Sequence, residues 1–366
     1  MRIAQIAPLF ESVPPRLYGG TERVVSYLTE ELIRQGHQVT LFATGDSITS
    51  AELVPCTSRA LRLDPNVRDP IPHYTLMLDK VSERAADFDI LHFHIDYLHF
   101  PLFRSKAART VTTLHGRQDL ADHMPFYRRF SDMPLISISN AQRTPLRGAN
   151  FVGTVHHGLP LGLHKPSGKP AGGYLAFLGR ISPEKRPNRA IAIARAAGLP
   201  LKIAAKIDKV DEVYFRQVIA PLLDGAEVEF VGEINESAKA DFLSRAAGLL
   251  FPINWPEPFG LVMIEAMACG TPVLAFPGGS VPEIIEDGLT GYIVSNIDEA
   301  VQAIPDLLAL DRNAIRTCFE QRFSSRRMAS DYVRIYQVLG RHAASEIHLS
   351  PVALSAATPE GERAGA

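Results

Sequence analysis

At 366 residues the chain is too long for one ordinary hydrophobic core, and two domains are expected. A hydrophobic fraction of 46% beside 21% charged residues excludes a disordered chain, and a net charge of −2 gives no electrostatic footprint for nucleic acid. Three cysteines, Cys56, Cys269 and Cys318, stand far apart without a CxxC pair, which argues against a disulfide framework or zinc knuckle and for a reducing, cytoplasmic setting.

The first apolar run, RIAQIAP, is too short for a signal peptide and reads as a strand, and no stretch reaches the roughly 18 apolar residues of a membrane span. TERVVSYLTEELIRQG comes next as a helix, apolar at positions 24, 25, 28, 32 and 33 and stopped by Gly36. QVTLFAT, DILHFHI, RTVTTLHG, PLISIS and FVGTVHHG read as strands apolar on both faces, as in a sheet covered by helices on two sides. HKPSGKPAGG, residues 164–173, lacks periodicity and reads as a linker. The alternation then restarts with the strand YLAFLGR, the helix NRAIAIARAAG, the strand LKIAAKI and the helix VYFRQVIAPLLDG. VEFVGE, GLLFPI, PVLAF and GYIV continue the strands, and helices over 298–343 close the pattern.

This order predicts an α/β protein of two doubly wound, parallel-sheet, Rossmann-like domains facing a central cleft. The expected boundaries are 1–165 and 172–322, with a helix over 323–343 packing back toward the first domain and a disordered tail over 344–366. In such sheets ligands bind beyond the carboxyl ends of the strands, so residues there are the candidates.

Arg180 and Lys185 come directly after the strand YLAFLG and offer a planar fork of donors and a mobile point charge, a pair suited to a diphosphate. In WPEPFGLVMIEAMACG, Glu257 precedes Pro258 and is held extended, so a helix begins near Phe259 or Gly260. Gly260 admits a ligand to the backbone, and the free N–H groups of the first turn attract anionic oxygens. Glu265 lies inside the helix in an otherwise buried run, where a carboxylate without a partner is costly and two ribose hydroxyls would satisfy it. Phosphate at the helix start with hydroxyl-rich groups on either side describes a nucleotide sugar.

EPFGLVMIE resembles the E-x7-E motif of the retaining glycosyltransferases of family 4, which have the GT-B fold. GRISPEK before it and GGSVPEIIEDGLTGYIV after it keep that family's order, and YGGTERV and TLHG resemble its first-domain glycine loop and histidine. The resemblance covers roughly residues 1–340. It implies that Arg180 and Lys185 bind the diphosphate, Glu257 the donor sugar and Glu265 the ribose. Backbone amides of Phe259, Gly260 and Leu261 would complete the donor site, Gly19 and Gly20 would close on the phosphates, and His115 would sit beside the reacting carbon. Arg186 and Pro187 depart from the glycine that often comes after the lysine, and Pro160 from an acid common after an Asn-Gly pair. Both leave the donor base and sugar open.

The expected reaction moves a sugar from a UDP- or GDP-linked donor to an acceptor hydroxyl with retention, without a metal or other cofactor. A GT-B epimerase or phosphorylase, a histidine-based metallohydrolase built on His92, His94, His115 and His157, and a non-catalytic carbohydrate binder are the alternatives. DFD at 87–89 imitates a metal-binding DxD but precedes its strand and so lies at the wrong end of the sheet. The acceptor, a small molecule, a glycan or a lipid-linked sugar, is expected against loops 9–18, 94–100 and 117–130. These carry Phe10, His94, Asp96, Tyr97, Phe100, Phe126 and Tyr127. Arg128 and Arg129 read as a solvated face, with peripheral membrane contact left open, and the sequence does not set the oligomeric state.

Overall fold

The computed structural model describes residues 1–17, 19–166, 173–223 and 225–348. Two all-parallel sheets organise it. The first joins β1 (Arg2–Ile6), β2 (Gln38–Thr44), β3 (Glu52–Thr57), β4 (Ile90–Phe93), β5 (Thr110–Thr113), β6 (Leu135–Ser137) and β7 (Phe151–Thr154) in the order β3-β2-β1-β4-β5-β6-β7. The second joins β8 (Leu175–Arg180), β9 (Leu201–Lys206), β10 (Val228–Gly232), β11 (Gly248–Phe251), β12 (Val273–Ala275) and β13 (Gly291–Ile293) in the order β10-β9-β8-β11-β12-β13. This is the GT-B architecture.

Each order reverses once, at β1/β4 in the first sheet and at β8/β11 in the second. At a reversal the two flanking connections leave toward opposite faces, and a crevice opens beyond the strand ends. Central strands such as ILHF in β4 and GLLF in β11 are buried throughout, because helices cover both faces.

Three local readings are corrected. The strand ELVPCT (β3) and the helix Ile71–Glu83 escaped the sequence pattern, since β3 is an edge strand with a mixed burial pattern. VYFRQVIAPLLDG is a broken run rather than one helix: a turn over Glu212–Tyr214, a wide π-type turn over Phe215–Ile219 and a tight one over Ala220–Leu222. Pro221 has no N–H to continue a ladder, which accounts for the break. The last helix spans Ser325–His348, five residues beyond its expected end, because Ala343, Ala344 and Glu346 extend helix-favouring sequence past Gly340. The rest of the expected tail, and 167–172 of the expected linker, lie outside the described residues.

The chain passes between the lobes twice, side by side. Leu159 N–H donates to the Phe323 carbonyl and Ser325 N–H to the Leu159 carbonyl, at 2.8 Å each. The last helix then packs on Gly20–Arg34, and its Met328, Tyr332 and Tyr336 share a core with Ile3, Val24, Leu28 and Ile90 of the first lobe.

Candidate active site

A cavity of about 480 Å³ opens between the lobes at the two sheet reversals. The segments leaving the carboxyl ends of β8 and β11 build its second-lobe wall. Arg180 ends β8, and Lys185 lies five residues on; both line the cavity with Glu257, Phe259, Gly260, Leu261 and Glu265. From the first lobe come Gly19 and Gly20 after β1 and His115 after β5, with Gly20 backing onto Leu261.

The helix Leu261–Ala268 starts where Pro258 and Gly260 require. Gly260 precedes it at φ 80°, ψ 67°, a left-handed conformation natural to glycine, and no side chain caps the first turn. Gly260, Leu261 and Val262 all line the cavity, which brings the helix start and the positive end of its dipole to the cavity wall.

Both motif acids already hold cations. Lys185 Nζ donates to Glu257 Oε2, Trp255 Nε1 donates to the same oxygen at 3.0 Å, and the ammonium lies 4.9 Å from the Trp255 ring centre and 5.4 Å from that of Phe251. Glu257 is 7% exposed, so this pairing is what makes its burial tolerable. Glu265 accepts from Lys239 Nζ at 2.7 Å. The buried carboxylate that the sequence reading required to have a partner has one within the chain: Lys239, on the preceding helix Glu236–Ser244.

Arg180 is held in a carboxylate cage. Its guanidinium reaches Glu184 at 2.8 Å, Asp211 at 3.4 Å and Asp208 at 3.7 Å. Asp211 is 8% exposed, and burial pushes its carboxyl above the usual range against the pull of Arg180.

A cluster of Arg23, His164, Glu236, Lys239 and Glu265 ties the lobes together at one flank. Arg23, from the first lobe, meets Glu236 at 2.5 Å, and His164 Nε2 meets the same carboxylate at 3.0 Å. Burial raises the Glu236 carboxyl, but His164, Lys239 and Arg23 outweigh it and hold the group at about 2. His164, Glu236 and Glu265 have the spacing of metal ligands. Lys239 and Arg23 occupy those same carboxylates, so the donor set is that of an ion-pair cluster. At the other flank Glu283 accepts from the N–H groups of Asn140 and Ala141, each at 2.8 Å, and from His156 Nε2 at 3.0 Å.

The four histidines weighed as a metal set are engaged otherwise. His92 and His94 are buried, and His94 Nδ1 lies 2.9 Å from His115 Nε2 while its Nε2 lies 2.7 Å from Gln5 Oε1. His115 stacks on His157, ring centres 5.3 Å apart. Burial pulls all four below the ordinary imidazole range, His115 to about 3, so each is neutral at pH 7. His94 therefore stands behind His115 and not on the acceptor wall. Phe100 and Tyr127 are likewise buried, in a core with Leu114 and Met133, leaving Phe10 and Tyr97 exposed among the expected aromatics. Arg128 and Arg129 are exposed, and Asp89 of DFD binds Arg2 at the amino end of the sheet.

Sequence reasoning missed Trp255, Lys239 and Gly279. Trp255, the chain's single tryptophan, stands two residues before Glu257 and was legible as a donor for it. Gly279 has φ 55°, and a Cβ there would lie 2.1 Å from the Glu257 carbonyl oxygen. The GGS turn is therefore pressed against the Glu257 backbone.

Two facing Rossmann-like lobes with a cation-lined crevice between their reversals define a GT-B protein, and the comparisons agree. Residues 164–321 match the family model for glycosyl transferases group 1, and residues 18–143 that for Glycosyltransferase Family 4. The chain belongs to family 4 of the glycosyltransferases. It is 33% identical to the D-inositol 3-phosphate glycosyltransferases of Mycobacterium tuberculosis and Mycobacterium bovis, across 43% of this chain. The match covers 36% of the length of those relatives. Its fold is similar to that of AviGT4, a glycosyltransferase involved in avilamycin A biosynthesis (TM-score 0.70, 23% identity, 93% of this chain and 98% of that one). It is also similar to the Anabaena protein HepE, solved with UDP and glucose (TM-score 0.66, 21% identity, 94% and 100%). At these identities the likeness is one of fold. Among the described residues no helix is long and apolar enough to cross a membrane.

Proposed function

We propose that the protein transfers a sugar from a nucleoside diphosphate donor to an acceptor hydroxyl with retention at the anomeric carbon, as a cytoplasmic enzyme. The observation that carries this reading is the convergence of Arg180, Lys185 and the uncapped helix start at Gly260 on one cavity flanked by Glu257 and Glu265. Charge builds on the leaving diphosphate as the glycosidic bond breaks, and fixed cations and amides stabilise it without reorganising. Lys185 would release Glu257 to the sugar hydroxyls and turn to the phosphate, and Arg180 would exchange Glu184, the most exposed of its three acids, for a phosphate oxygen. Glu265 would take the ribose hydroxyls while keeping Lys239, and Gly19 and Gly20 would bring first-lobe amides to the same anion.

His115, beside the reacting carbon, is too depressed in basicity to act as a proton acceptor at neutral pH. Attack by the acceptor from the face the diphosphate leaves, with that phosphate taking the proton, asks for no base from the chain. These residues form a complete anion site, so no metal is assigned to the donor.

The UDP held by HepE favours a uridine donor over a guanosine one as the first to test. A thermal-shift screen of nucleotide sugars should show stabilisation by one base series. A ligand at 100 times its Kd adds about 2.7 kcal/mol. Absence of any shift across UDP- and GDP-linked sugars would overturn the reading. Product analysis then separates transfer, which needs an acceptor, from epimerisation, which does not, and from phosphorolysis, which needs inorganic phosphate.

A further inference from the structure

A chain of buried polar groups runs from the cavity into the first sheet and ends on the helix that returns from the second lobe. His115 and His94 share a hydrogen bond of 2.9 Å, and His94 and Gln5 one of 2.7 Å. Gln5 and His92 are register partners on β1 and β4. His92 Nδ1 lies 2.7 Å from the Tyr336 hydroxyl and its Nε2 2.7 Å from Thr113 Oγ1. Gln5, His92 and Thr113 are 0% exposed and His94 3%.

Burial makes this network a counting problem, since each neutral imidazole has one donor and one acceptor nitrogen. The Gln5 amide fixes the direction. With its oxygen toward His94, its NH2 lies 3.4 Å from both the Tyr336 hydroxyl and His92 Nδ1. The 2.7 Å separation from His94 Nε2 suits an N–H···O bond and is short for the N–H···N bond that the turned-over amide would make. His94 therefore carries its proton on Nε2, and its Nδ1 is an acceptor. The hydrogen of the 2.9 Å bond then belongs to His115 Nε2.

We infer that His94 is a positioning residue that holds His115 as the Nε2–H tautomer, so that His115 presents the Nδ1 lone pair to the bound sugar and accepts a hydroxyl hydrogen from it. The inference rests on the proposed nucleotide-sugar function for the ligand, and on the buried network alone for the tautomer. His115 Nδ1 has no partner among the described residues, and the ring lines the cavity. A histidine's two nitrogens are set by the bond the hidden one makes, and here Gln5, on the first strand, makes the choice two bonds away.

The test is long-range nitrogen–proton NMR on the full chain labelled at histidine, with the His115 signals assigned by their loss in His115→Gln. The expected result at pH 7 is a protonated Nε2 and an unprotonated Nδ1. An Nδ1–H tautomer, or an even mixture, overturns the inference, and no variant at His94 has to fold for that outcome. With the active donor, His94→Asn should retain most of kcat because its amide oxygen replaces Nδ1 as acceptor. His94→Leu should lose on the order of 10–100-fold in kcat with donor KM little changed. Equal losses in both variants would mark His94 as a packing residue only. If no nucleotide sugar binds while the tautomer is as stated, the functional reading falls and the tautomer assignment stands.

Discussion

The two walls of the cavity solve opposite problems. The second lobe presents charge: Arg180, Lys185 and Lys239 each sit on carboxylates, so the anion site rests in a neutralised state until a ligand competes. Around His115 the first lobe presents uncharged hydrogen-bonding groups, with His92, His94, His115 and His157 all kept neutral by burial, while Glu22, Arg23, Arg62 and Arg117 are its charged lining residues. A wall that holds a diphosphate needs fixed charge. In the proposed transfer, a wall beside the reacting carbon would be better without a competing cation or base, because the leaving phosphate would take the acceptor's proton.

The sharpest way to break this contrast is on the charged side. Lys185→Ala should lower kcat on the order of 10²–10³-fold in a turnover assay, the scale for one lost donor to a developing anion. It also leaves Glu257 buried with Trp255 alone, so Lys185→Ala combined with Glu257→Gln should cost less than the sum of the two. A loss no greater than that of His115→Ala would erase the distinction between the walls. Next in size is Gly279→Ala. Its Cβ would lie 2.1 Å from the Glu257 carbonyl oxygen and 2.5 Å from the Glu257 nitrogen, at φ 55°. Backbone must shift, so denaturant unfolding should show a loss of about 1–3 kcal/mol, together with a fall in kcat as Glu257 is displaced.

The contrast also explains what was legible in the sequence. The second-lobe site comes from contiguous runs, GRISPEK and WPEPFGLVMIE, because a strand end and the next helix start sit side by side at a sheet reversal. Arg180, Lys185, Glu257 and Glu265 were therefore readable from local order. Their partners were not: Lys239 reaches Glu265 from a different helix, and only the fold brings them together. The first-lobe site draws Gln5 from β1 and His94 and His115 from the segments that leave β4 and β5, and its histidines look alike until burial sorts them. Thus His94 reads as an acceptor-side residue in HFHID and proves to stand behind His115. The strand alternation itself was legible almost throughout, failing at the edge strand β3 and at Pro221, where local pattern is weakest.

The neutral wall predicts an acid-sensitive first lobe. His92, His94 and His157 are 0–3% exposed, and burial lowers each below the usual value of 6.5. Below that value the unfolded chain binds protons that the folded chain refuses, so stability is fully present above pH 6.5 and is lost as pH falls toward the depressed native values. One such group gives a slope of about 1.4 kcal/mol per pH unit. Calorimetry between pH 8 and pH 5 should show a flat transition temperature down to about 6.5 and a decline below it. The transition should stay flat through this range if the histidines titrate at their ordinary value in the native state.

The smallest effect is expected where the walls meet. Glu283, from the second lobe, receives the first-turn amides of the short helix Asn140–Arg143 and the ring of His156, all from the first. Burial raises its carboxyl, but His156 and those two amides outweigh it and hold the group below its usual value of 4.5, so it is ionised at neutral pH. Glu283→Gln keeps the shape and removes the charge, a change worth roughly 0.3–1 kcal/mol at a helix start. Because the contact spans the lobes, that energy belongs to the closed arrangement. Donor KM should rise roughly two- to fivefold with kcat nearly unchanged, the same energy expressed as an equilibrium constant. A lower melting temperature with donor KM unmoved would instead make Glu283 a fastener of one lobe to the other, with no part in how the cavity takes its ligand.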